Sequence, residues 1–115
     1  MNIHLDLEEK IKHFYEDRIE KIELRQNALI VNFDNGLRVD LRYLNLHEYF
    51  ISWCWNDKHW QVDTAPLHKD LKTFPNHMHD DRGAITEDTL THPGAPAWDN
   101  IHCLLDAVLK SPSLA

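Results

Sequence analysis

A chain of 115 residues, 43% hydrophobic and 27% charged, is long enough to bury one core and reads as a single domain over 1–115. No apolar run approaches the length needed to cross a bilayer. The formal net charge of −7 argues against indiscriminate nucleic-acid binding, because such a surface repels phosphate wherever basic residues do not cluster; a basic protein partner suits it better. Nine histidines would offset part of that charge in a mildly acidic environment.

The amino terminus, MNIHLDLEEKIKHF, carries acids where a secretion signal needs a basic start and an apolar stretch, so a cytoplasmic location is expected. Asp6 is a good helix N-cap, with Glu9 three residues later in a capping-box position. Leu7, Ile11, Phe14, Tyr15 and Ile19 then recur at helical spacing and predict one apolar helix face.

From Ile22 to Tyr43 the period changes to two. Leu29, Val31 and Phe33 alternate with Ile30 and Asn32, and Leu37, Val39, Leu41 and Tyr43 alternate with Arg38, Asp40 and Arg42. Asp34-Asn35-Gly36 between those runs is a hairpin signal, since Asn and Gly accept the positive φ of a tight turn. A second hairpin is predicted from Tyr49–Trp55 and Trp60–Asp63 around Asn56-Asp57-Lys58, with Tyr49, Ile51, Trp53 and Trp55 on one face. With Ile22–Arg25 this makes about five antiparallel strands. Most of the tryptophans are expected in the core rather than as a platform for bases. Arg38 and Arg42 share a strand face with Asp40, which predicts a solvated, self-neutralised surface.

The segment 80–95 is polar, contains Gly83, Pro93 and Gly94, and reads as an exposed connection. Pro96 suits a first helical turn, and Trp98, Ile101, Leu104, Leu105 and Val108 form a helical stripe that ends before Pro112. The expected fold is α+β, an antiparallel sheet covered on one face by an N-terminal and a C-terminal helix. Cys54 and Cys103 form no close pair and read as buried, reduced thiols.

The chemistry concentrates in Asp63–His79, DTAPLHKDLKTFPNHMH. Pro66 and Pro75 prevent continuous helix or strand there, so His68, His77 and His79 are expected on loop or strand-edge backbone. Metal-free proton transfer needs a base and an acid, and imidazole suits both tasks near neutral pH. His77 and His79 are two apart and share a face if extended. His68 can face them across the loop, Asp63 can orient one ring, and Lys69 or Lys72 can offset negative charge developing on a substrate. The same atoms also make a divalent-metal shell from His68, His77 and His79 with Asp63. In a purely structural alternative, the histidines cap the sheet and Asp63 accepts turn amides.

These residues carry a resemblance. Asp63, Ala65, Pro66 and His68, followed by Thr73, Phe74, Pro75, His77 and His79, resemble the loop of the TumE-type family of small prokaryotic toxin–antitoxin proteins. That pattern is a strand ending in an Asp-Asn-Ala-Pro-His-His-like turn, then Thr-Phe-Pro-His-His-Lys-His, an acidic tail and a helix. The resemblance implies a toxin-type protein with a cognate antitoxin as partner and RNA as target. The chain departs from the pattern at Leu67 and Asn76, where the family has histidines, and at Met78, where a basic residue is common. If the missing histidines were catalytic, this chain is impaired or specialised; if they line the loop, nothing is lost. A non-catalytic protein-binding or regulatory domain, and a small metal-dependent hydrolase, are the competing expectations. The chain has no cofactor-binding glycine loop or nucleotide motif, so no cofactor beyond a divalent metal is expected.

Overall fold

The computed structural model describes residues 2–115. Helix α1 spans Ile3–Phe14, and a 3-10 turn over Glu16–Arg18 leads into strands β1 (Ile19–Arg25), β2 (Ala28–Phe33), β3 (Arg38–Asn45), β4 (Glu48–Trp55), β5 (Lys58–Asp63), β6 (His77–His79) and β7 (Ile85–Glu87); helix α2 follows at Ala97–Lys110. The strands form one seven-stranded antiparallel sheet in the order of the chain, each pairing with the next. The α+β expectation holds, but five strands is an undercount. The two extra strands, β6 and β7, are only three residues long and interrupt stretches that carry proline and glycine, so they leave little alternation to detect.

Alternation divides the sheet into two faces. Leu29, Val31, Val39, Leu41, Ile51, Trp53, Trp60 and Val62 point to the core, where Leu7 and Ile11 of α1 and Ile101, Leu104, Leu105 and Val108 of α2 close over them. Trp53 and Trp60 are cross-strand partners, stacked at 6.3 Å between ring centroids, and the Trp53 indole N–H donates to the Pro112 carbonyl at 2.8 Å. Full burial of side chains of this size contributes roughly 1.5–3 kcal/mol each. Trp55 and Trp98 pack at the margin of the same cluster, so the tryptophans serve the core.

Helix α1 begins earlier than Asp6. Asn2 is its N-cap, and the Asn2 side chain accepts the Leu5 N–H at 3.0 Å. Asn caps as well as Asp does, and starting at Ile3 brings His4 into the interior. The helix ends at Phe14, and the 3-10 turn puts Ile19 at the head of β1 instead of on the helical face. Phe14 is 56% exposed.

The tight turns follow local chemistry. Gly36 has φ +87°, and the Asn35 side chain accepts the Leu37 N–H at 3.0 Å. Asn56 and Asp57 both have positive φ, which gives the two-residue β4–β5 connection the backbone twist a hairpin needs. Both cysteines are exposed, contrary to expectation. Cys54 lies on the face of β4 opposite Trp53 and Cys103 lies off the apolar stripe of α2, so element geometry overrides the general tendency of thiols to be buried. No described helix is long and apolar enough to cross a membrane.

Candidate active site on the helix-free face

On the face away from the helices, strand register builds one row across five strands: Arg42 of β3, Phe50 of β4, Asp63 of β5, His77 of β6 and Glu87 of β7 are successive partners. A neighbouring row runs through Asp40, Ser52, Gln61, His79 and Ile85. Asp63, His77, Gln61 and His79 thus occupy the four corners of one β5–β6 patch. Adjacent strands lie about 4.8 Å apart, so their side chains meet.

The meeting is close. His77 Nε2 lies 3.0 Å from His79 Nε2 and 3.1 Å from Asp63 Oδ1, and His79 Nε2 lies 3.4 Å from Asp63 Oδ2. The His77 and Asp63 side chains are 2% and 9% exposed, whereas that of His79 is 31% exposed and opens the cluster to solvent. The His68 ring folds back from the loop to 4.7 Å from the His77 ring and 6.3 Å from that of His79, edge-on to both. Asp63, His68, His77 and His79 are thus brought together. Lys69 and Lys72 are exposed on the loop, with no hydrogen bond or ion pair to the cluster.

Surrounding groups orient the cluster. The Asp63 carboxylate accepts the Gln61 side-chain N–H at 2.6 Å and the Ala65 backbone N–H at 3.0 Å. His77 Nδ1 lies 3.2 Å from the Pro75 carbonyl, which can only accept, so Nδ1 donates to it and Nε2 is the nitrogen turned toward Asp63 and His79. Sequence reasoning missed Gln61, although its signal was present: it stands two residues before Asp63 on a strand, hence on the same face.

The loop is anchored from the other side. The Asn76 side chain donates to Asp88 Oδ2 at 2.9 Å and to the Thr91 carbonyl at 2.9 Å. Asp88 accepts the backbone N–H groups of Leu90 and Thr91 and the Thr91 hydroxyl proton. With that proton committed, the Tyr49 hydroxyl donates to Thr91 Oγ1 at 2.7 Å; burial pushes the Tyr49 hydroxyl pKa up and keeps it neutral. Thr73 Oγ1 donates to the Asn76 carbonyl and accepts the Asp88 N–H. Asn76, Asp88 and Thr91 are 4%, 1% and 0% exposed, so the segment 80–95 is not a simple exposed connection. A carboxylate that gathers four donors looks in the sequence like any exposed acid. Asn76 is buried in this anchor and is not part of the histidine cluster.

Beside Asp63 an open groove of about 690 Å³ runs between the start of the loop, at Ala65 and Pro66, and strands β3 and β4, where Arg42 and Phe50 line it. Phe50 is 38% exposed. Arg42 pairs with Asp40 through two hydrogen bonds of 3.0 Å, as the strand pattern anticipated. No family model, curated protein or solved structure matched the chain.

Proposed function

We propose that this chain is the toxin-type component of a toxin–antitoxin pair of the TumE kind, acting on RNA at Asp63, His68, His77 and His79. The observation that carries the reading is the convergence of three imidazoles and one buried carboxylate on the helix-free face, beside a groove with an exposed aromatic ring. Surface-capping histidines do not require such convergence. The resemblance of Asp63–His79 to the TumE loop supplies the target class and the antitoxin as partner.

The geometry refines the division of labour. At 3.0 Å between Nε2 atoms, His77 and His79 leave no room for a phosphate between them, so they cannot serve as opposed acid and base. They work with Asp63 as one centre, and His68, mounted on the loop, is the separate group for proton transfer. Phe50 offers a face on which a base can stack, and Arg42 lies next to it for backbone phosphate. Asn76 in place of a family histidine leaves this centre intact, because its side chain is engaged elsewhere.

The test is growth after induced expression, comparing the natural sequence with a His77→Ala/His79→Ala double variant of equal solubility. Growth arrest by the first and not the second, with RNA cleaved by the purified protein, is the expected result. Absence of arrest and of RNA cleavage with the natural sequence would overturn the proposal.

A further inference from the structure

We propose that Asp63, His77 and His79 bind one divalent transition-metal ion, with zinc the first candidate and the open side of the site left for water or substrate. The inference deepens the functional reading above by naming the cofactor of the same site. Each of the three residues offers one donor atom, and these atoms all lie within 4.8 Å of one another. Ligands about 2.0–2.1 Å from one ion stand roughly 2.9–3.4 Å apart, for angles between octahedral and tetrahedral. The 3.0 Å between the two Nε2 atoms and the 3.1 Å from His77 Nε2 to Asp63 Oδ1 fall in that interval, and His79 Nε2 meets the other carboxylate oxygen, Oδ2, at 3.4 Å.

Ring orientation points the same way. The Pro75 carbonyl engages His77 Nδ1, which turns Nε2 toward the carboxylate and toward His79 Nε2. Two ring nitrogens and one carboxylate thus converge on one point, the donor set of a divalent transition metal. Asp63 is buried and meets His77 and His79, and no Lys or Arg among the described residues pairs with it. A buried carboxylate needs such compensation.

The surroundings match those of metal ligands. The outer nitrogen of His77 is held by a backbone carbonyl, and the carboxylate is held by Gln61 and the Ala65 amide. Two imidazoles and one carboxylate favour a transition metal over calcium or magnesium. Three protein ligands leave a coordination position free, as in hydrolytic sites rather than closed structural ones. An ion there would place positive charge next to the groove, and His68 would remain available for proton transfer.

The experiment is titration of metal-stripped protein with Co²⁺, followed by visible d–d absorption, and with Zn²⁺ by calorimetry. One ion per chain is expected, with affinity reduced by about tenfold or more in Asp63→Asn and in His77→Ala/His79→Ala, and retained in His47→Ala. Because the double variant can lose the fold, the natural protein provides a second readout: Zn²⁺ should move the ¹⁵N resonances of His77 and His79 and leave those of His47 and His59 in place. No binding, equal binding by the variants, or shifts spread over the other histidines would overturn the proposal. RNA cleavage by metal-free protein in a chelator would sink the metal site and leave the functional reading standing. Stoichiometric metal binding without growth arrest or RNA cleavage would do the reverse.

Discussion

Asn76 and His77 are consecutive in the chain and serve opposite sides of it. The Asn76 amide is buried against Asp88 and Thr91, whereas the His77 imidazole meets Asp63 and His79 on the helix-free face. One residue holds the loop to the body of the protein, and the next belongs to the site. Replacing Asn76 with Ala takes a donor from a buried carboxylate, a change that costs roughly 1–3 kcal/mol. Urea denaturation should show that loss, while metal affinity measured on the folded fraction stays within a few-fold of the natural protein.

Gln61 acts through Asp63. Gln61→Leu removes the 2.6 Å hydrogen bond to the carboxylate without removing any of the three converging donor atoms. Metal affinity is expected to fall by roughly 10–100-fold, the range for loss of an outer-shell partner, with little change in unfolding midpoint. Co²⁺ titration and thermal denaturation on the same sample check both halves.

Phe50 separates binding from chemistry. It is a register partner of both Arg42 and Asp63 and touches none of the cluster's hydrogen bonds. If RNA occupies the groove, Phe50→Ala should raise KM between about fivefold and a hundredfold, since a stacked base contributes roughly 1–3 kcal/mol. The turnover rate should change less than KM, and steady-state kinetics on a short single-stranded RNA would show the split.

His4 gives stability a pH dependence. Its Nε2 accepts the Tyr43 backbone N–H at 3.0 Å, which requires a neutral ring, and burial lowers its pKa from the ordinary value of 6.5. Between the lowered folded value and 6.5 the unfolded chain binds more protons than the folded one, so stability rises with pH there. The contribution of His4 is fully present above pH 6.5 and is lost as pH falls through that window. Melting temperatures taken from pH 5 to 7.5 should rise, and His4→Gln should flatten the part of the slope below 6.5.

The fold was legible where structure is local. The Asp34-Asn35-Gly36 turn, the alternation of Leu29, Val31 and Phe33, and the stripe from Trp98 to Val108 each follow from a backbone period that a few adjacent residues reveal. The placement of His77 and His79 on one face is of the same kind, because two residues apart on extended backbone always share a face. Where local signals compete, they misled: Asp6 looked like the N-cap but Asn2 caps the helix, and Ile19 fitted a helical stripe but starts a strand.

The sequence by itself therefore determined the sheet's two-faced character, the covering helices and the common orientation of the two histidines, since these depend on neighbours in the chain. Only the tertiary structure decided that β6 pairs with β5 in a register that sets His77 against Asp63 and His79 against Gln61. A connection as long as that from Thr64 to Asn76 permits many registers, and the anchor of Asn76 on Asp88 and Thr91 helps to hold this one. That anchor depends on buried polar groups finding partners far along the chain, and such pairing leaves no periodic trace in the sequence.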